Sequence, residues 1–366
     1  MQEWLTLLQC PRLGVATLHK LFQKLPSLLS LFELSNTQLI ELGLSSAQID
    51  YLTSSHDYSN VISYLNRNHI QLISIEDGNY PQALLNTARP PIVLFSQGNI
   101  SLLKEPQIAF VGSRTPTAYG CEVTKYLAAE ISRHGLVVNS GLALGVDAMA
   151  HQATLDNKGY TVAVMGSGHA NIYPKRHEQL AKRIVDNDGL LVSEFMPFET
   201  PQSFHFPRRN RIIAGLSLGT LVVEAALKSG SLITAKYALE ANRDVFAVPG
   251  NIFSDVSVGC HNLIQKGAKL VQTPADILTE YEHVIGKSMA GVYQGESFVE
   301  IEKNNLADTT LLANVDHETT SVDVISQRSN LPVEQVLIEL LNLEILGHIN
   351  AVPGGYIKVH TNINNK

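Results

Sequence analysis

Gln107-Ile108-Ala109-Phe110-Val111-Gly112-Ser113-Arg114-Thr115-Pro116 reads as a buried strand running through a glycine turn toward a helix. The apolar run has strand length, and Val123, Leu127 and Ile131 then recur at helical spacing. Gly112 lets the backbone approach a ligand, Thr115 offers a capping side chain, and Pro116 suits a first helical turn. The rhythm repeats, with strands expected at 136–139, 161–165, 190–193, 219–223 and 245–248 and helical segments between most of them. Near-continuous apolar strands alternating with amphipathic helices specify an α/β fold with a parallel sheet covered on both faces. Ligands of such sheets collect at the carboxyl ends of the strands, so the loops there are expected to carry function.

Three successive strand ends carry small residues: Gly112-Ser113, Ser140-Gly141-Leu142-Ala143-Leu144-Gly145 and Gly166-Ser167-Gly168. Side by side, they describe a shallow trough that a polyanion or nucleotide could enter. The amides opening the helix after Arg114 favour a phosphate, and Arg114 adds a fork of donors; the plain alternative is a tight turn with a solvated arginine. No G-x-G-x-x-G and no G-x-x-x-x-G-K-[ST] occurs, so dinucleotide binding and P-loop hydrolysis lose their usual support.

The loop after the third strand, Ile172-Tyr173-Pro174-Lys175-Arg176-His177, and its following helix with Lys182 and Arg183 carry a local charge of +3 against Glu178. The segment after the fourth strand, Ser203-Phe204-His205-Phe206-Pro207-Arg208-Arg209-Asn210-Arg211, reads as a loop with three arginines, two phenylalanines and no acid. Single strands are held by cations along the phosphates and aromatic faces under the bases. The competing reading pairs these arginines with Glu194 or Glu199 and sends the phenylalanines into the core. Glu224 at the end of the fifth strand stands where a sheet enzyme would place an acid or base, and Asp147 and His151 form an i, i+4 pair on the second helix. None has a convincing partner set and no metal-ligand spacing is present, so structural roles are expected for all three.

Outward from the sheet, residues 3–65 read as short helices, with Leu18, Leu21, Phe22 and Leu25 on one face. Segments 71–75 and 92–95 read as strands joined by turns around Asp77-Gly78, Pro81, Pro90 and Pro91. Residues 286–305 read as a linker, followed by a helix face of Val333, Val336, Leu337, Leu340 and Leu341. Gly347-His348-Ile349 then leads through Pro353-Gly354-Gly355 into a hairpin, which suggests a winged helix.

The 366 residues carry 27 Lys+Arg and 34 Asp+Glu, a net charge of −7, a mild argument against nucleic acid until the charge is mapped along the chain. Residues 105–280 balance at 16 cations and 16 acids, so their basic loops are local, whereas residues 281–366 carry −6. A hydrophobic content of 45% excludes wholesale disorder. Cys10, Cys121 and Cys260 are scattered and outside any C-x-x-C, so neither a disulfide framework nor a cysteine zinc site is expected. The N-terminus lacks a secretory pattern, and polar residues interrupt the apolar stretch 212–233, read as a buried strand with its flanking loops. A cytoplasmic chain with no membrane span is expected.

The combination of Gly112-Ser113-Arg114, Ser140-Gly141-Leu142-Ala143, Gly166-Ser167-Gly168, Tyr173-Pro174, Phe206-Pro207-Arg208-Arg209-Asn210-Arg211-Ile212-Ile213, Ser229-Gly230-Ser231-Leu232-Ile233-Thr234-Ala235 and Val248-Pro249-Gly250 closely resembles the DprA/Smf family of DNA-processing proteins. The resemblance covers nearly the whole chain. It implies an extended Rossmann-like core at 66–283 and an all-α SAM-like or helix-hairpin-helix-like domain at 1–65. A linker at 284–305 and a winged-helix domain at 306–360 complete the division. It further implies a non-enzymatic, homodimeric protein of natural transformation without a cofactor, which protects incoming single-stranded DNA and loads RecA over single-strand-binding protein. Carried onto this sequence, the strand would be contacted by Arg114, Lys175, Arg176, Arg208, Arg209 and Arg211, with Tyr173, Phe206 and Asn210 among them. Gly112, Ser113, Ser140, Gly141, Gly166 and Gly168 would complete a pocket, through the backbone amides around Ser113, Gly141 and Gly168 in particular. Cys260 beside Gly259 departs from the family pattern.

Pro11-Arg12-Leu13-Gly14-Val15 resembles a helix-hairpin-helix turn, which contacts phosphates or serves packing. Residues 306–360 hold two cations against seven acids, a net of −5, and a groove-reading helix needs cations, so this module is expected to contact protein rather than duplex DNA. An enzyme similar to the nucleotide phosphoribohydrolases, with their PGGxGTxxE loop, is the alternative. Gly219-Thr220 and Glu224 survive here with one extra residue between them, but the PGG part does not.

Overall fold

The computed structural model describes residues 1–285 and 311–359. Five helices come first: α1 (Gln2–Gln9), α2 (Val15–Phe22), α3 (Asn36–Glu41), α4 (Ser46–Thr53) and α5 (Ser59–Arg67). Ser35 with Gln38 and Ser45 with Gln48 form capping boxes, which is why such short helices start where they do. Leu18 and Leu21 are buried as their spacing requires, while Leu25 lies past the end of α2. Glu76 fixes these helices to the sheet edge, accepting from Ser27 Oγ at 2.7 Å and Leu28 N at 2.5 Å.

The central unit runs β1 (Ile70–Ser74), α6 (Gln82–Leu85), β2 (Val93–Gly98), β3 (Gln107–Val111), α7 (Ala118–Arg133), β4 (Val137–Ser140), α8 (Val146–Asp156), β5 (Thr161–Val164), α9 (Glu178–Asp186), β6 (Leu190–Ser193), α10 (His205–Leu216), β7 (Gly219–Val222), α11 (Gly230–Glu240), β8 (Asp244–Ala247), α12 (Val258–Gln265), β9 (Lys269–Leu270), α13 (Ala275–Leu278) and α14 (Glu282–Ile285). Its nine strands form one sheet in the order β1-β2-β6-β5-β4-β3-β7-β8-β9. From β6 to β9 all neighbours are parallel, while β1 and β2 add two antiparallel strands at the β6 edge. The mostly parallel α/β core expected from the sequence is the observed architecture. Its antiparallel extension and the two-residue β9 emerge only from the pairing.

Alternation along the strands sends apolar side chains to both faces of the sheet. Ile108, Phe110, Val138 and Leu221 pack with Leu127, Ile131 and Val146 of α7 and α8 on one face. Ala109, Val111, Val137 and Val222 share the other face with Ile212, Ile213 and Ala235 of α10 and α11. The apolar stretch 212–233, expected as one strand with its loops, is instead divided among the end of α10, β7 and the start of α11. Among the described residues no helix is long and apolar enough to cross a membrane.

The chain steps outward from β3 through β4 and β5 to β6, then returns to place β7 on the other side of β3. The carboxyl ends of β3 and β7 therefore diverge at a topological switch point, where such sheets open a crevice.

The C-terminal unit is a winged helix: α15 (Val322–Ser329), α16 (Val333–Ile345) and a hairpin of β10 (Ile349–Val352) with β11 (Gly355–Lys358). Val336, Leu340 and Leu343 of α16 join Leu311, Val315, Ile325 and Ile349 in its core. Val333, Leu337 and Leu341, expected on that inner face, are exposed instead. A helix apolar nearly all round does not declare its inner stripe; the packing of α15 and the hairpin does. The linker expectation over 286–305 lies outside the described residues.

Candidate functional site

The segment expected as an arginine-rich loop is helical: α10 begins at His205 and carries Arg208, Arg209 and Arg211 within about one turn. Pro207 is tolerated there because a first-turn residue has no intrahelical partner for its N–H. Helical periodicity separates the arginines. Arg209 is buried; its Nη1 donates to the Gly141 carbonyl at 2.5 Å and to the Val164 carbonyl, tying α10 to the ends of β4 and β5. Burial pulls its pKa down to about 10, against attraction to Asp147. Arg211 and Arg208 both reach Glu194 Oε2, Arg208 at 3.0 Å, and Arg211 Nη1 also donates to the Arg89 carbonyl at 2.7 Å. Burial lowers the Arg211 pKa, with Glu194 opposing. The ion pairing with Glu194 weighed from the sequence is therefore present, and Arg208 alone of the three keeps an exposed side chain.

The expected amide pocket is largely spent on internal bonds. Gly141 N and Ala143 N donate to Asp147 Oδ2 at 3.1 and 3.3 Å, and Gly168 N donates to the Glu199 carbonyl at 2.9 Å. Ser140 Oγ donates to the Phe110 carbonyl at 2.6 Å and is buried. Burial raises the Asp147 pKa, with Arg209 and these amides opposing. Gly141 and Gly166 are required by close approach: a Cβ would stand 2.6 Å from Arg209 Cζ in the first case and 2.7 Å from Phe206 Cδ1 in the second.

What remains open is a cleft of about 810 Å³ at the switch point. Gly112, Ser113 and Arg114 from the loop after β3 form one wall, and Phe206 and Asn210 of α10 another. Tyr173, 48% exposed, stands with its ring centroid 5.3 Å from that of Phe206, and Arg114 Cζ lies 5.9 Å from the Phe206 ring. Lys175 and Arg176 are exposed on the one-turn 3₁₀ segment Lys175–His177, whose His177 Nδ1 bonds the Leu142 carbonyl at 2.8 Å. Among the described residues no ion pair engages Arg114, Lys175, Arg176 or Lys228.

Lys228, Ser229 and Ser231 line the cleft as well and were missed as site residues from the sequence. Ser229 caps α11, accepting from Ser231 N at 3.3 Å, so the positive end of an eleven-residue helix borders the cleft. The signal was the Ser229-Gly230-Ser231 run, which reads as an N-cap.

Thr117, rather than Thr115, caps α7, because Pro116 precedes the helix and the first free amides follow Thr117. Thr117 N and Oγ1 donate to the two oxygens of buried Glu224, at 2.9 and 2.5 Å. Glu224 thus joins the loop after β7 to the start of α7. His151 is buried and bonded to Thr161 Oγ1 at 2.6 Å. No cluster of metal-ligating side chains occurs among the described residues.

A family model described as DNA recombination-mediator protein A matches residues 71–282, and one described as the DprA winged helix domain matches residues 304–355. Protein Smf of Escherichia coli strain K12 is 42% identical over 300 residues, covering 81% of this chain and 80% of its own length. The X-ray structure of DNA processing protein A from Streptococcus pneumoniae superposes with a TM-score of 0.68 at 37% identity, over 76% of this chain and 98% of that one. A second solved structure, described as giving insight into the single-stranded DNA binding mode of DNA processing protein A from Helicobacter pylori, matches 59% of this chain and 98% of its own, with a TM-score of 0.53 and 29% identity. With a family model spanning more than half of its length and relatives at this level of identity, the chain belongs to the DNA recombination-mediator protein A family, also called DprA or Smf.

Proposed function

We propose that this chain binds single-stranded DNA along the switch-point cleft, without catalysing a reaction. The observation that carries this reading is the exposed Tyr173 and half-buried Phe206, with four cations, Arg114, Lys175, Arg176 and Lys228, that have no ion pair among the described residues. Phosphates would run over these cations, over half-exposed Arg208 and past the start of α11, while bases stack on the two rings. Asn210, Gly112 and Ser113 lie where they would touch the strand. Ser140, Gly141, Gly166, Gly168, Arg209 and Arg211 would shape the walls instead. Support also comes from the family and from the single-stranded DNA binding described for the Helicobacter pylori relative.

Residues 66–283 would be the DNA-binding unit, flanked by modules at 1–65 and 306–360. The family resemblance extends the reading to a cytoplasmic homodimer that protects incoming strands during natural transformation and loads RecA in place of single-strand-binding protein. A gel-shift comparison tests the first part: labelled oligo-dT is expected to bind well above its duplex counterpart, and equal affinity would refute the site. For the second part, RecA strand exchange on templates coated with single-strand-binding protein should accelerate on adding this chain. Absence of acceleration with strand binding intact would remove the loading role alone.

A further inference from the structure

The winged helix carries an apolar ridge that no described residue covers. Val333, Leu337, Leu341 and Ile345 are 42, 44, 56 and 75% exposed and succeed one another at i, i+4 along α16, so they form one continuous row. Ile338, also exposed, widens it. This row runs beside Val336, Leu340 and Leu343, which fill the module's core from an arc centred about 110° away around the helix.

The position of α16, directly before the hairpin, is the one from which a winged helix reads a major groove. Groove reading takes cations for phosphates and polar side chains for base edges. α16 offers Glu334, Glu339 and Glu344 and no cation. Across residues 311–359 six acids stand against Arg328 and Lys358, and Arg328 is paired with Asp316 at 2.6 Å. Exposed apolar rows of this kind mark contacts with protein.

Charge selects the occupant. At about 100° per residue, Glu334 falls inside the arc spanned by the ridge, so an identical module docked on it would bring acid against acid. We propose that the α16 ridge docks an amphipathic helix of a partner protein, apolar along the contact and flanked by lysine or arginine.

The test uses the full chain and a labelled synthetic helix of eighteen residues, leucines on one face and lysines on its flanks, read by fluorescence anisotropy. The wild-type chain is expected to bind it, with affinity falling at least about tenfold for the same peptide carrying glutamates in place of the lysines. Leu337→Ser with Leu341→Ser is expected to weaken binding at least about tenfold while the thermal unfolding midpoint and oligo-dT affinity stay unchanged. Glu334→Lys, which leaves the ridge apolar, should weaken it too. Peptide affinity unaffected by the serine pair, or no binding by the wild type, overturns the proposal. So does a fall in sedimenting mass in the serine variant, which would assign the ridge to a second copy, or a loss of duplex binding, which would assign it to DNA.

Discussion

Arg209 Nη1 donates to the carbonyl oxygen of Gly141 at 2.5 Å, and the glycine is what lets it arrive, since a Cβ there would meet the guanidinium at 2.6 Å. The same nitrogen reaches the Val164 carbonyl, so one side chain from α10 closes the ends of β4 and β5 beneath the cleft. In the Phe206-Pro207-Arg208-Arg209-Asn210-Arg211 run, the middle arginine therefore supports the wall and is not free to follow a phosphate.

Replacing Arg209 by Ala should cost on the order of 3 kcal/mol or more, because two buried carbonyls lose their donor and a cavity opens. Arg114→Ala, on an exposed loop, should stay within about 0.5 kcal/mol of wild type. Urea unfolding compares them; equal midpoints would show that Arg209 does not hold the sheet ends together.

Strand affinity should fall with salt as ~0.7 log units per phosphate contact per log unit of salt. Arg114→Ala, Lys175→Ala and Lys228→Ala should each flatten that slope by roughly one contact, with unfolding midpoints unchanged. Titrations of oligo-dT at several salt concentrations measure it, and an unaltered slope in any one variant removes that residue from the phosphate track.

The ring pair gives a separate signature. Tyr173→Ala should lose ~1–3 kcal/mol of strand affinity with little change in salt slope, since stacking involves no counterion. Tyr173→Phe should bind as the wild type does. If the Phe variant is as weak as the Ala variant, the hydroxyl matters and stacking is not the contact.

The parallel core was legible because each strand from β3 to β8 is an apolar run of its own, and the glycine loops marked which end of the sheet to examine. What the sequence left open was partnership. Nothing in Arg208-Arg209-Asn210-Arg211 tells which arginine turns inward; the helix phase of α10 decides. Gly141 and Gly168 looked like free amides, yet Asp147 and the Glu199 carbonyl claim them, because a buried N–H must be bonded somewhere. Lys228 and Ser229 escaped notice because their approach to the cleft depends on β7 returning beside β3, a pairing some 110 residues apart in the chain.

Two buried histidines make stability fall with acid. Thr161 Oγ1 donates its one proton to the Val138 carbonyl at 2.7 Å, so it accepts from His151 Nδ1, and buried His151 Nε2 has no hydrogen-bond partner among the described residues. Protonating Nε2 would place an unpaired charge in the core, and burial accordingly pulls the His151 pKa down to about 3, with His177 and Arg209 adding repulsion. Burial likewise pulls His169 down to about 4, a backbone contact at Leu191 offsetting only part. Both folded values lie below the unfolded one near 6.5, so the unfolded chain binds more protons in the interval between them. The stability they contribute is complete above about pH 7 and is lost as pH falls, by up to ~1.4 kcal/mol per pH unit for each histidine down to about pH 4. Urea unfolding at pH 7, 6 and 5 should show this decline, and His151→Gln with His169→Gln should flatten it by about two protons. A wild-type chain equally stable at pH 5 and 7, or a double variant with an unchanged slope, would show that these rings are not the source.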